Sequence, residues 1–121
     1  MKIAVATNDG KTISVHFGKS QYFMVVTVDE GKEVARELRD RSVPSAAAAL
    51  GFAEDEANTP KHNTDHLADC KVVISRGMGG GMLWFLQQAK YRVILTEVAN
   101  IDRAITEFLE GRLLNHPEFV Q

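Results

Sequence analysis

The sequence has little of what would assign it to a specialised class of protein. It holds one cysteine among 121 residues, so no disulfide can form within the chain and nothing requires an oxidising compartment. The formal net charge of -2 gives no basic surface for a polyanion, which argues against nucleic acid as a partner. No hydrophobic run approaches the ~20 apolar residues of a membrane span, and the apolar N-terminal stretch is too short for a secretory signal. We therefore expect a cytoplasmic protein that binds neither nucleic acid nor membrane.

The most informative stretch is a predicted strand followed by a turn rich in glycine. Residues 71–75 are mostly β-branched and apolar, which is typical of a strand buried on both faces. The turn contains Gly77, Gly79, Gly80 and Gly81, and apolar residues at helical spacing follow it. Because glycine lets a ligand approach the main chain and a helix N-terminus carries about half a positive charge, this turn predicts an anion site. The alternative is that the glycines only permit a tight turn and close packing of the helix on the sheet.

The order of the predicted elements indicates an α/β fold. Three strands come first, of which the first two or three are linked by hairpins, and they are followed by a helix, a strand, a helix, a strand and a helix. Right-handed crossovers make the later strands parallel to the first, which gives a single domain over residues 1–121 with a five-stranded mixed sheet in the order 3-2-1-4-5, the ribonuclease-H-like layout. In open sheets a ligand lies beyond the carboxyl ends of the parallel strands, where residues 8–18 and 76–81 meet. The predicted strands are 3–7, 21–29, 33–40, 71–75 and 91–96.

Helix signals outside the sheet differ in strength. Asn100 is the predicted N-cap of a helix whose apolar residues recur at i, i+3, i+4, i+7 and i+8, and Gly111 is its predicted end. The helix after the glycine turn runs to about Lys90. Trp84 breaks its apolar face and could be partly exposed or at an interface, although core packing is the preferred expectation. Residues 61–69 form a short helix candidate, whereas residues 41–60 are predicted to be a mobile loop. The tail, residues 113–121, carries no signal.

Catalytic signatures are scarce. A nuclease of the ribonuclease H type needs several carboxylates around two metal ions, yet the central strand contains no acidic residue and Asp9 stands alone after the first strand. Ser75 lacks the G-x-S-x-G context that exposes a nucleophilic serine. Binding without turnover is the better class, and we predict that the protein is not an enzyme.

A second candidate site consists of possible metal ligands. His62, His66 and Cys70 are spaced by four residues, so they share one face if that stretch is helical. Imidazole and thiolate together suit zinc, copper or iron, and His16 from the loop after the first strand could complete the set. The alternative is that Cys70 is a small buried hydrophobe and the histidines are surface residues.

Two residues beside the glycines have ambiguous roles. The thioether of Met78 could contact a soft metal, but methionine more often fills gaps in a core. Arg76 could pair with a bound anion, and it could equally be a surface residue that anchors the loop.

Several motifs in combination resemble the dinitrogenase iron-molybdenum cofactor biosynthesis family, which includes NifX, NafY and the carboxyl-terminal part of some NifB proteins. The motifs are M-K-I-A-V-A-T-N-D-G at the start, V-H-F-G around His16, D-C-K-V-V-I around Cys70 and G-M-G from Gly77. The resemblance implies a ribonuclease-H-like fold without nuclease chemistry and a role in binding or carrying molybdenum- or iron-sulfur clusters. By position, His16, Cys70 and Gly77 to Gly81 would form the cluster pocket. Arg76 and Gly80 depart from the family pattern, in which a small residue and a proline are common.

These observations lead to one principal hypothesis and two alternatives. The first is non-enzymatic binding, carriage or insertion of an anionic iron- or molybdenum-containing metal-sulfur cluster, received from or passed to a protein partner. The loop Gly77, Met78, Gly79, Gly80 and Gly81 would hold the anion beside Arg76, with His16 and Cys70 as metal ligands and His62 and His66 as further candidates. The first alternative is a simple zinc- or copper-binding protein that uses His62, His66 and Cys70, and the second is an interaction domain without a metal.

Overall fold

In the computed structural model, which describes residues 1–41 and 67–121, five strands form one mixed sheet in the order β3-β2-β1-β4-β5. The first three strands are joined antiparallel, whereas β4 is parallel to both β1 and β5. The predicted fold class and strand order are therefore confirmed, and each strand begins and ends within one residue of its predicted position. The strands are β1 (Lys2–Thr7), β2 (Tyr22–Asp29), β3 (Lys32–Asp40), β4 (Val72–Ser75) and β5 (Arg92–Leu95).

Each face of the sheet is covered by one of the two helices in the described ranges. Helix α1 (Gly80–Gln88) packs Leu86 on the face that carries Val73 and Phe23. Helix α2 (Ile101–Leu109) buries Ile101, Ala104 and Ile105 on the opposite face, as its spacing predicts. Because β1 and β4 contribute to both hydrophobic clusters and are almost wholly buried, they form the centre of the core.

Helix α2 begins and ends where its sequence predicts. The side-chain oxygen of Asn100 accepts a hydrogen bond from the backbone N–H of Arg103 at 2.8 Å, which satisfies one of the unpaired donors of the first turn. Gly111 follows the helix with φ of +74°, a left-handed conformation in which glycine is favoured. The helix is therefore delimited by local sequence at both ends.

Strand β3 is the exposed, highly charged edge of the sheet. Arg36 binds Glu33 on its own strand and Asp102 of α2, while Arg39 binds Asp69 through two hydrogen bonds of 2.7 and 2.8 Å. Charged side chains along an edge discourage pairing with another chain. Seven of the nine residues of β3 are exposed, so the strand presents its charged side chains to solvent.

Several sequence-based predictions fall on residues 42–66 and so lie outside the described part of the chain. They are the mobile loop, most of the short helix before Cys70, and both His62 and His66. Among the described residues, no helix has the length and apolar character needed to cross a membrane.

Candidate functional site

The loops that follow β1 and β4 meet at one edge of the sheet, beyond the carboxyl ends of these two parallel strands. The N–H of Phe17 donates to the carbonyl of Gly77 at 2.9 Å, and the N–H of Arg76 donates to the carbonyl of Ser14 at 3.0 Å. The buried hydroxyl of Ser75 donates to the Gly77 carbonyl at 2.8 Å. These bonds join the H-F-G segment directly to the start of the glycine turn, so the structure brings the two predicted loops together.

His16 is an exposed residue immediately before a short 3₁₀ turn, Phe17–Lys19. Its backbone N–H donates to the hydroxyl of Ser14 at 3.2 Å, and that hydroxyl in turn donates to the His16 carbonyl at 3.1 Å. Nδ1 of the imidazole lies 2.9 Å from Oε1 of Gln121. The ring is therefore held on a rigid backbone segment but stays at the surface.

The glycines of the turn have different structural roles. A Cβ on Gly77 would lie 2.5 Å from the carbonyl oxygen of Val15 and 2.7 Å from Nε2 of Gln121, so glycine is required there by close packing. A Cβ on Gly79 would meet no atom within 4 Å. Packing therefore explains Gly77, whereas Gly79 faces open space at the N-cap of α1.

The first turn of α1 has the character of an open helix N-terminus. Gly79, Gly80 and Gly81 are exposed, the N-cap residue has no side chain that could accept a hydrogen bond, and no acidic residue lies in the first turn. The orphan N–H groups and the positive end of the helix dipole thus face outward. Such a terminus can accept an anion.

Arg76 and Met78 lie on either side of Gly77 but differ in burial. Met78 is 1% exposed and belongs to the core between α1 and the sheet, so it serves as packing and is inaccessible to a surface ligand. Arg76 is half-buried at the edge of the sheet. Within residues 1–41 and 67–121, its guanidinium has neither a hydrogen bond nor an ion pair.

The tail of the chain is part of this edge, which its sequence does not reveal. Val120 forms a parallel bridge with Met78, and the N–H of Gln121 donates to the Met78 carbonyl at 2.7 Å. Nε2 of Gln121 donates to the carbonyl of Val15 at 2.8 Å. Gln121 is the site residue that sequence reasoning missed, because a short tail without periodicity carries no signal of where it packs.

Cys70 lies at the opposite end of β4 from His16 and the glycine turn, so the structure does not bring these three predicted site elements together. It precedes the strand whereas Gly77 follows it, and the four residues of β4 alone span about 10 Å. The side chain is 3% exposed, and its burial, followed by the nearby Asp69 carboxylate, raises the pKa of the thiol from 9.0 to about 12. A buried, protonated thiol is a poor metal ligand.

The second candidate site, built from His62, His66 and Cys70, depends on histidines outside the described residues. Within residues 1–41 and 67–121, no three His, Cys, Asp or Glu side chains converge closely enough to hold one metal ion. The zinc or copper site therefore stays a prediction from sequence spacing.

Asp9 organises the loop that leads from β1 to His16. Its Oδ1 accepts hydrogen bonds from the backbone N–H groups of Lys11 and Thr12, both at 2.8 Å. These bonds, that from Thr12 first, hold the pKa of the Asp9 carboxyl well below its usual range. The carboxylate thus acts as a structural acceptor within its loop.

The described residues form an α/β domain, and the two joined loops form its candidate site at the carboxyl edge of the central strands. The chain belongs to the dinitrogenase iron-molybdenum cofactor family, whose model matches residues 1–111. Membership associates the protein with the biosynthesis or binding of that cofactor. Gln121 lies outside the matched residues. No curated protein shows significant sequence similarity to this chain.

Solved structures share the fold across nearly the whole chain. Protein PH0822 has a TM-score of 0.72 and 22% identity, covering 98% of this chain and 97% of its own. Protein MJ0327 from Methanocaldococcus jannaschii has a TM-score of 0.67 and 18% identity, with 97% and 95% covered. The apo form of the orange protein from Desulfovibrio gigas has a TM-score of 0.64 and 21% identity, with 96% and 92% covered. At these identities the likeness establishes the fold alone.

Proposed function

We propose that the protein binds and carries an anionic metal-sulfur cluster containing iron or molybdenum, without catalysing a reaction. The observation that supports this most directly is the meeting of an exposed imidazole, His16, with an uncapped glycine-rich helix N-terminus at one edge of the sheet. Backbone N–H groups suit the negative charge of a cluster, and the imidazole can coordinate one of its metals. The cluster is the cargo of the protein.

Each part of this edge has a distinct task in the proposal. Gly79, Gly80 and Gly81 let the cluster approach the main chain, while His16 supplies the coordinating atom. Arg76, whose guanidinium has no partner in the described parts of the chain, adds a positive charge beside them. A donor or acceptor protein would exchange the cluster at this surface, since the glycines and His16 are exposed.

The test is anaerobic reconstitution with iron, molybdate and sulfide, followed by metal analysis and absorption spectroscopy. We expect cluster uptake with sulfide-to-metal charge-transfer bands in the natural protein, and a loss of most of that uptake in His16→Ala. The matched control is His116→Ala, which removes a histidine that contacts Glu118 and Phe119 instead of the glycine turn. A protein that takes up no cluster, or that takes up as much after His16→Ala, would overturn the proposal.

A further inference from the structure

The side-chain amide of Gln121 forms hydrogen bonds with two residues of the loop after β1, the imidazole of His16 and the backbone carbonyl of Val15. We infer that Gln121 is a positioning residue, which fixes His16 in the tautomer with hydrogen on Nδ1 and so presents Nε2 to a metal. The inference rests on the proposed function for the identity of the cargo. It concerns the imidazole itself, however, and can be tested without a cluster.

The orientation of the Gln121 amide follows from its partner on Val15. A backbone carbonyl can only accept a hydrogen bond, so the atom 2.8 Å from the Val15 oxygen must be the nitrogen of the amide. The amide oxygen then faces His16, with Oε1 2.9 Å from Nδ1. Because this oxygen can also only accept, Nδ1 must carry the hydrogen. In the neutral ring, Nε2 is left with its lone pair free.

The amide is held in place by the backbone that surrounds it. Gln121 is fixed to the sheet edge by its N–H bond of 2.7 Å to the Met78 carbonyl, and Val120 beside it packs against the core. Gly77 leaves the space that the amide nitrogen occupies, since a Cβ there would lie 2.7 Å from Nε2. The side chain therefore has little room to rotate its amide.

This arrangement matches the support that metal-binding histidines receive in proteins. A coordinating imidazole usually donates its other N–H to a carboxylate or carbonyl oxygen, which sets the tautomer and the ring orientation, and loss of that partner typically weakens metal affinity 10- to 100-fold. Here the carbonyl is that of Gln121. This hydrogen-bond acceptor lies in the C-terminal tail, outside residues 1–111, which the family model matches.

The first experiment determines the tautomer in the metal-free protein. Long-range proton–nitrogen correlation spectra of ¹⁵N-labelled protein are recorded near pH ~8, where an ordinary histidine is neutral. We expect His16 as the Nδ1–H tautomer in the natural protein and a shift toward Nε2–H in Gln121→Met, which keeps the length of the side chain but removes the amide. An Nε2–H ring in the natural protein, or an unchanged ring in Gln121→Met, would refute the inference.

Two further variants separate this role from a general effect on folding. Gln121→Glu loses the N–H that donates to the Val15 carbonyl but retains an oxygen that accepts from Nδ1, so the Nδ1–H tautomer should be preserved. Gln88→Met alters an exposed glutamine at the end of α1 and should leave the His16 signals as they are. A shift of the tautomer in Gln88→Met equal to that in Gln121→Met would count against a specific role.

A titration with Zn²⁺ then measures how strongly the His16 imidazole binds a metal ion in the natural protein and in Gln121→Met. Binding is followed on the His16 resonances, so occupation of the other histidines does not confuse the result. We expect coordination at Nε2 and an affinity 10- to 100-fold weaker in Gln121→Met; equal affinity would contradict the inference. If the tautomer depends on Gln121 but reconstitution gives no cluster, the cargo is wrong and the positioning role stands.

Discussion

At the scale of single residues, each chemically active group is defined by its immediate surroundings. Cys70 and His16 are both potential metal ligands by residue type, yet the thiol of Cys70 is buried beside a carboxylate while the ring of His16 is exposed. Burial favours the protonated thiol, so Cys70 behaves as a small core residue. Gly77 and Gly79 likewise have different surroundings, because a Cβ would clash with neighbouring atoms at Gly77 but not at Gly79.

The buried thiol of Cys70 should make stability depend on pH in the alkaline range. The pKa of this thiol is about 12 in the folded protein and 9.0 ordinarily, so the unfolded chain releases the proton first. The stability associated with the protonated thiol is therefore complete below pH 9 and is lost progressively as the pH rises toward 12. Urea unfolding at several pH values should show natural protein losing more stability over this range than Cys70→Ala does.

Parallel pH curves for the two proteins would contradict this assignment. Thiol labelling gives an independent check, since the native protein should react with an alkylating reagent far more slowly than the protein in denaturant. Equal labelling rates in the two conditions would show that Cys70 is accessible.

Substitution of the two glycines should separate packing from ligand binding. Gly77→Ala forces a Cβ to within 2.5 Å of the Val15 carbonyl, and such overpacking typically costs about 1–3 kcal/mol. Gly79→Ala meets no atom within 4 Å, so its cost in free energy of unfolding should be limited to the poorer N-cap, about 0.5–1 kcal/mol, while it obstructs a ligand at the helix N-terminus. Chemical denaturation and cluster reconstitution on both variants provide the measurements.

A Gly79→Ala variant that takes up cluster normally would remove Gly79 from the proposed site. A Gly77→Ala variant as stable as the natural protein would mean that Val15 and Gln121 move aside at little cost.

At the scale of elements, the candidate site depends on how the 3₁₀ turn Phe17–Lys19 is fastened to the sheet. Arg41, just after β3, donates to the carbonyls of Gly18 and Phe17, each at 2.8 Å. Its guanidinium also lies 4.9 Å from the ring centre of Phe23 and 5.4 Å from that of Phe17. One arginine thus connects the end of the edge strand to the loop that carries His16.

Arg41→Lys should loosen this loop although it keeps the charge. The planar guanidinium reaches two carbonyls and stacks on two rings, which an ammonium group cannot reproduce. We expect a loss of stability of about 1.5–3 kcal/mol, the usual value for a hydrogen bond to a charged group, and weaker cluster uptake because His16 is less well placed. The matched control is Arg112→Lys, which alters an exposed arginine far along the chain that contacts Glu110.

If Arg41→Lys and Arg112→Lys unfold at the same denaturant concentration, Arg41 contributes no more than an ordinary surface arginine. Denaturation curves with a common slope would make that comparison direct.

Elements with a clear period or a clear end signal were predictable from the sequence. The alternation and β-branched composition of the strands gave the sheet, and the spacing from Ile101 with the Asn100 cap gave α2. The meeting of the His16 loop with the glycine turn also follows from parallel strands, whose carboxyl ends share an edge. The same rule puts Cys70, which precedes its strand, at the other edge.

The remaining differences come from contacts between distant parts of the chain. Trp84 is 63% exposed, contrary to its expected burial, because the buried stripe of α1 is narrow and contains only Leu86 as a fully buried residue. Gln121 reaches His16 across a separation of 105 residues. Periodicity and local motifs carry no information about such a contact.

At the scale of the whole molecule, the buried pair β1 and β4 is the structural support for everything else. Ile3, Ala4 and Val5 of β1 are fully buried and pair with Val72, Val73 and Ile74 of β4. Both faces are covered by a helix, whereas β3 is exposed along most of its length. Local stability should therefore decrease from the centre of the sheet toward β3.

Amide hydrogen exchange provides the test of that gradient. We expect the slowest exchange in β1 and β4, which open only with global unfolding, and exchange in β3 faster by at least a factor of ten. The contacts of α2 with Arg36 should slow part of β3, so Asp102→Asn should speed exchange near Arg36 and leave β4 unchanged. Equal protection of β3 and β1 would show that the sheet opens as one unit.

The exposure of Trp84 gives the molecule a built-in optical reporter. It is the one tryptophan in the sequence, and it lies four residues after Gly80, about one helical turn from the open end of α1. Metal-sulfur chromophores absorb light in the range where indole emits. A cluster bound at this end of α1 would therefore quench the fluorescence of Trp84 by energy transfer. Loading and release could then be followed in real time by fluorescence, on the unmodified protein.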